Sequence, residues 1–138
     1  MDTPLANADV VVLWSPRVVG VLRIVVGFLY TQHGMAKLFH VPHVAMFDTL
    51  QLMSLIGVAG VLELLGGLLL LIGWFTRPTA FILSGEMAVA YFMAHASWGT
   101  VASPMLNGGE PAVLYCFVFL VLSVLGSGAW GVDAMRRT

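Results

Sequence analysis

The chain has 138 residues and a formal net charge of -1, with 59% hydrophobic and 9% charged residues, against roughly 45–50% and about 25% in soluble globular domains. Its mean hydropathy is +0.95. This excludes an ordinary soluble domain and a basic nucleic-acid-binding surface, and points to an integral membrane protein with little mass outside the bilayer.

The single cysteine, Cys116, sits in an apolar run with no CxxC nearby. The chain therefore cannot run a dithiol–disulfide cycle by itself, and Cys116 reads as a small packing residue.

Residues 1–15 carry Asp2 and Asp9 and no Lys or Arg, so the basic start of a secretory signal is missing. They are expected to form a short cytosolic arm ending at Trp14, Ser15 and Pro16. A membrane domain is expected over residues 16–130 and a short basic cytosolic tail over residues 131–138.

Four apolar segments follow the arm. The first runs from about Val18 to Phe39, behind Ser15-Pro16 as a cap and first-turn signal. The second runs from about Leu52 to Trp74 and stops at Thr76-Arg77-Pro78. The third runs from about Thr79 to Ala96, and the fourth from about Glu110 to Leu125, with a possible extension to Trp130. The runs are too uniformly apolar for barrel strands, which alternate. The expected fold is all-α, a four-helix transmembrane bundle with short loops. Arg17, Arg77, Arg136 and Arg137 flank one side and only Lys37 flanks the other, which puts both termini in the cytoplasm. Trp14, Trp74, Trp98 and Trp130 fall near segment ends, where interfacial aromatics belong.

The first segment carries a polar seam. Gly20, Arg23, Gly27, Tyr30, Gly34 and Lys37 are spaced 3, 4, 3, 4 and 3 apart, so they share one helix face. Glycines on that face let a second backbone approach closely, and Arg23 and Tyr30 are expected to point into the bundle. The bland reading of Arg23 is a side chain that snorkels to the headgroups. In the second segment Ile56, Gly60, Glu63, Gly67, Leu70 and Trp74 repeat the pattern with spacing 4, 3, 4, 3 and 4. Glu63 is too short to snorkel from mid-span, so it must be paired, protonated or facing water. Pairing with Arg23 as a structural ion pair is the bland reading.

Glu86 is a second acid, in the third segment. At the helical rise it lies about 13 Å from Arg77, and Glu63 about 21 Å. Arg23 is thus nearer in depth to Glu86 than to Glu63. An Arg23–Glu63–Glu86 cluster would hold two acids near one cation, an arrangement that suits a shared proton.

A second polar group belongs to the other side of the bilayer: His33, Lys37, His40, His43, His95, Asn107 and Glu110. The HxxH of His40 and His43 encloses Pro42, so it is not a regular helical metal pair, and no metal is expected. His95 follows Glu86 by nine residues, or two and a half turns, so the two face opposite ways. The bland role of Glu110 is to complement the N-terminal dipole of the fourth helix. A sharper role is contact with a ligand headgroup or proton.

Several blocks of the sequence resemble the DoxX family, and in particular its bacterial quinol-oxidase-subunit-like subgroup. They are HGMAKLF (His33–Phe39), GVLELLGGLLLLIGWFTRPTA (Gly60–Ala80), SGEMAVAYFMAHA (Ser84–Ala96) and LNGGEPAVLYCFVFL (Leu106–Leu120). The resemblance covers Val18 to Asp133 in order. Family positions fall on Arg23, Gly34, Lys37, Glu63, Gly66, Gly67, Gly73, Thr76 and Arg77, and in the closer subgroup on Glu86, His95, Asn107 and Glu110. The closing GSGAWGVD departs from the subgroup at a turn. The resemblance implies a four-helix bacterial inner-membrane protein in a redox assembly. Relatives include a quinol oxidase subunit and the membrane part of a thiosulfate:quinone oxidoreductase, and others are linked to oxidative or thiol stress.

Three functions follow as expectations. The first is a membrane subunit of an oxidoreductase that binds a quinone or similar lipid-soluble substrate. Arg23 and Glu63 would hold a carbonyl oxygen and Glu86 would share the proton work. Tyr30 and Tyr115 would stack or donate, and His33, Lys37, His95, Asn107 and Glu110 would line the rest of the site. No covalent cofactor, haem pair or dinucleotide motif is present, so electrons would come from soluble or membrane redox subunits or from the substrate. The second is a small proton or anion permeation protein working as a homo-oligomer. The third is a non-catalytic anchor for soluble redox enzymes.

Overall fold

The computed structural model describes residues 4–136, with side chains from Asp9 onward. Asp2 and Arg137, used above for the arm and the charge asymmetry, lie outside the described residues.

The first helix, α1 (Pro4–Phe39), begins well before Pro16. Nothing between Leu5 and Ser15 interrupts a helix, since the stretch holds neither Gly nor Pro. Pro16 is therefore inside the helix instead of at its start. A proline there has no N–H to bond the preceding turn. The carbonyl of Pro16 also accepts from Ala129 N at 2.7 Å, which docks the stretch after α5 onto α1.

A 3-10 turn at Ala45–Phe47 leads to α2 (Leu55–Ile72). Ser54 caps α2 by accepting from Gly57 N at 3.1 Å, and Gly73 ends it in the left-handed region with φ 69°, the usual place for glycine. α3 (Thr76–Ala90) starts three residues earlier than the sequence pattern suggests, with Pro78 in its first turn, where the missing N–H costs nothing. It runs on into a π turn at Tyr91–His95. A short α4 (Pro104–Asn107), then α5 (Glu110–Leu125) and α6 (Val132–Met135) complete the chain. α5 stops at Leu125, and Gly126, with φ 84°, turns the chain away before Trp130. No strand occurs among the described residues.

The four longer helices pack on one another: α1 against α2 and α5, α3 against α2 and α5. Their shared core contains Val26, Tyr30, Leu70, Leu83, Phe119 and Leu122. Outside it the packing is inverted relative to a soluble protein. Phe28 on α1, Leu65 on α2, Phe81 on α3 and Phe117 on α5 are all more than half exposed. Small residues line the helix contacts instead. Such a belt of large apolar side chains suits acyl chains and not water. Among the described residues, two helical stretches are long and apolar enough to cross a bilayer: Asp9–Phe39, with mean hydropathy 1.8, and Leu55–Ile72, with 2.5.

Candidate functional site

The glycines of α1 and α2 set the register between these antiparallel helices. A Cβ on Gly27 would fall 2.9 Å from Leu71 N, one on Gly34 2.7 Å from Leu64 Cα, and one on Gly60 3.0 Å from Lys37 Cβ. Position 63 therefore lies opposite the turn from Gly34 to Lys37, and position 73 lies opposite Arg23. The register separates the two charges that the depth argument left open as a pair.

Glu63 is 2% exposed and pairs with Lys37, whose Nζ lies 2.5 Å from Glu63 Oε1. Side chains on a helix lean toward its N-terminus. On α1 that direction carries the long Lys37 side chain back from the helix end toward mid-span. The other oxygen, Glu63 Oε2, is buried without a hydrogen-bond partner. Lys37 Nζ also sits 5.8 Å from the centroid of the Phe47 ring, a cation–π distance.

Beside this pair the Tyr30 hydroxyl donates to Glu86 Oε2 at 3.0 Å, while Glu86 Oε1 is buried without a partner. The two carboxyl groups lie within electrostatic range of each other, and Lys37 acts on both. Tyr30 is held by an edge contact with Phe119, ring centroids 4.7 Å apart, and faces Tyr115 at 5.5 Å. His33 flanks both tyrosines, 6.2 Å from Tyr30 and 6.0 Å from Tyr115. His33 is exposed and Tyr115 half-buried, so this aromatic group lies at the edge of the bundle. The site thus combines one ammonium, two carboxyls, one phenol bonded to a carboxyl, and two unpartnered carboxyl oxygens.

Arg23 is not part of this cluster, and the expected Arg23–Glu63–Glu86 constellation is corrected accordingly. Arg23 is fully buried and its guanidinium donates only to backbone carbonyls. Nη1 bonds Leu70 O at 2.5 Å and Leu71 O at 2.7 Å, Nε bonds Ser127 O at 2.8 Å, and Nη2 reaches Ala129 O at 3.4 Å. The last carbonyls of a helix have no partner in the helix itself and carry its negative end. Arg23 neutralises that end of α2 and ties it to the turn after α5. It neither snorkels nor pairs with a glutamate.

His95, Asn107 and Glu110 are also apart from the cluster. Asn107 Nδ2 donates to Tyr91 OH at 3.1 Å and Thr100 O at 3.0 Å, and its Oδ1 accepts from Gly109 N at 2.9 Å. The Tyr91 hydroxyl donates to Val101 O at 2.7 Å, and His95 Nδ1 lies 3.2 Å from Asn107 O. These bonds fold the loop between α3 and α5, which is a structural task. Glu110 is exposed in the first turn of α5, where its charge complements the helix dipole. His43 and His40 face Asp48 Oδ1 at 2.9 and 4.0 Å, all on the surface. Among the described residues no three His, Cys, Asp or Glu side chains converge on a point where a metal could sit.

Two working residues escaped the sequence reading. Asp133 accepts from Phe75 N at 3.0 Å and Thr76 N at 2.8 Å, and so caps α3 from 57 positions away. The only signal was the lack of a capping side chain at Phe75. Tyr91, central to the loop network, carried no signal beyond its apolar run.

The chain belongs to the DoxX family, whose model matches residues 18–96, a stretch that contains Arg23, Tyr30, His33, Lys37, Glu63, Glu86 and His95. It is 42% identical over 127 residues to an uncharacterized protein of Haemophilus influenzae, covering 87% of this chain and 91% of that protein. It is 29% identical over 133 residues to the inner membrane protein YqjF of Escherichia coli K12, covering 85% of this chain and 92% of that protein. No solved structure matches it.

Proposed function

We propose that this DoxX-family membrane protein crosses the bacterial inner membrane four times, with both termini in the cytoplasm. It would serve there as the membrane subunit of an oxidoreductase system that binds a quinone-type substrate at the Lys37–Glu63–Tyr30–Glu86 cluster. The lipid-type belt on α1, α2, α3 and α5 supports four spans. Arg17, Arg77 and Arg136 at one end against Lys37 near the other support the orientation. The description of the Escherichia coli relative as an inner membrane protein supports the location.

The observation that carries the binding site is the pair of unpartnered, buried carboxyl oxygens, Glu63 Oε2 and Glu86 Oε1, around a single ammonium. A buried acceptor without a donor is costly, and a hydroxyl-bearing ring supplies donors. A quinol offers two hydroxyls and the corresponding quinone two carbonyls, for which the Lys37 ammonium is the matching donor. Tyr30 fixes Glu86, Lys37 fixes Glu63, and His33 and Tyr115 at the lipid-facing edge offer ring faces for stacking. When bound, the quinone couple would supply the two-electron chemistry, with the carboxyl groups exchanging its protons. The electrons would pass to or from a partner subunit, and Arg23 would position helices without touching substrate.

The test is equilibrium titration of a ubiquinol analogue against the purified protein in nanodiscs. Loss of one charge-assisted hydrogen bond is worth about 1.5–3 kcal/mol, so Glu86→Gln should weaken binding by about tenfold or more. Tyr30→Phe should weaken it less, through misplacement of Glu86. Unchanged affinity in both variants, with helicity intact by circular dichroism, removes the site. No binding by the wild-type protein, together with recovery of a stable soluble partner, favours the anchor reading.

A further inference from the structure

A groove of about 450 Å³ runs along α1 at the opposite end from Lys37, lined by Trp14, Arg17, Val18, Val21, Val25 and Trp130. From Arg17 to Val25 it extends about 12 Å along the helix. Its floor and walls are apolar, and its rim carries one cation between two indoles.

The cation is only partly engaged. Arg17 Nη1 donates to Leu13 O and the guanidinium lies 5.6 Å from the Trp14 ring centroid. No carboxylate among the described residues is within ion-pair distance of it. A guanidinium has five N–H donors in a planar fork, so most of them remain for a phosphate, which that fork matches bidentately.

The far wall is built with effort. Trp130 has φ 60°, a left-handed conformation that is uncommon for a bulky residue and costs energy. The turn that imposes it is fixed from three directions: Arg23 bonds Ser127 O and Ala129 O, and Ala129 N bonds Pro16 O. Gly20 provides the room, because a Cβ there would fall 2.6 Å from Ala129 O and 3.2 Å from Trp130 Cε3. The buried arginine thus holds an exposed indole against α1 in a strained conformation, where it closes the groove.

We propose that this groove is a binding site for one anionic phospholipid, with an acyl chain along Val18, Val21 and Val25 and the phosphate on Arg17 between Trp14 and Trp130. The proposal depends on the membrane-spanning part of the reading above and is independent of the quinol site. Indoles belong at the headgroup level of a bilayer, and a basic residue beside anionic lipid is the complementary charge.

The test is native mass spectrometry of the purified protein with equimolar phosphatidylglycerol and phosphatidylcholine of the same acyl chains. The expected wild-type result is a retained lipid with about fivefold preference for phosphatidylglycerol, equivalent to about 1 kcal/mol. Arg17→Gln should bring the ratio to about one, Arg17→Lys should keep part of the preference, and Val21→Trp, which fills the groove, should reduce both adducts. A second readout is quenching of the native tryptophan fluorescence by tail-brominated phosphatidylglycerol, which should fall in Val21→Phe, whose ring occupies the groove without adding an indole. An unchanged preference in Arg17→Gln, unchanged adducts in Val21→Trp, or unchanged quenching in Val21→Phe overturns the proposal. Titrating the ubiquinol analogue against the same samples keeps the two sites apart. The groove variants should bind it like wild type, and Glu86→Gln should keep the lipid preference.

Discussion

The Lys37–Glu63 pair gives the sharpest quantitative test of this architecture. Their side chains are 13% and 3% exposed, so both charges have left high-dielectric surroundings. Removing one partner of such a pair leaves an uncompensated charge and typically costs about 3–5 kcal/mol, whereas replacing both with apolar groups of similar size is often close to neutral. An exposed pair would be worth only about 0–1 kcal/mol. Lys37→Met should therefore destabilise strongly, because both oxygens of Glu63 then lack a donor. Glu63→Leu should do the same by stranding the ammonium. The double variant Lys37→Met/Glu63→Leu should recover most of the loss, since each replacement roughly preserves volume. The assay is reversible unfolding of the four proteins in mild detergent, followed by far-UV circular dichroism, with the coupling taken from the double-mutant cycle. A coupling above about 2 kcal/mol is expected. Single variants that each lose less than about 1 kcal/mol and simply add in the double would refute the reasoning. Glu63 would then be held by something other than Lys37.

Two further outcomes follow from the packing. Gly34→Ala places a methyl 2.7 Å from Leu64 Cα and should cost about 1–3 kcal/mol or more by overpacking, whereas Gly85→Ala on α3, with nothing within 4 Å, should stabilise by about 0.5–1 kcal/mol; thermal unfolding of the two variants checks the contrast. Arg23→Leu strips the donors from the carbonyls of Leu71 and Ser127, leaves Leu70 O with Gly73 N alone, and should lower stability by about 3 kcal/mol or more. It should also speed trypsin cleavage at Arg136, while Arg23→Lys should rescue part of the loss.

How much of this was legible beforehand differs from residue to residue. Gly20, Arg23, Gly27, Tyr30 and Gly34 are all buried, as the heptad spacing on α1 requires, because a local repeat fixes which residues share a face. On α2 the same argument holds for Gly60, Glu63, Gly67 and Leu70 but not for Ile56 and Trp74, which are exposed at the ends. Ile56 is in the first turn of α2, and Trp74 lies past the left-handed Gly73 that ends it, so helical spacing no longer says which way that side chain faces. Ser54 and Gly73, which bound α2 with local partners, lie just inside the apolar run from Leu52 to Trp74, so composition alone overran both ends by a few residues. Asp133 is not recognisable at the start of α3, because its partners are remote in sequence.

The sequence by itself determined the helical class, the family, the apolar outward faces and the presence of buried charges on two glycine-lined seams. All of these depend on composition or on neighbours within a turn or two. The tertiary structure alone decided which charges meet. The close glycine contacts of α1 with α2 set the register of the two helices, and that register puts Lys37, not Arg23, opposite Glu63. Tyr30 then reaches Glu86 across the bundle, and Arg23 is left among the carbonyls that end α2. A charge in a low-dielectric interior must find a partner, but the choice of partner depends on how far one helix is displaced along another. That displacement is a property of the packed pair and is not encoded in the periodicity of either helix.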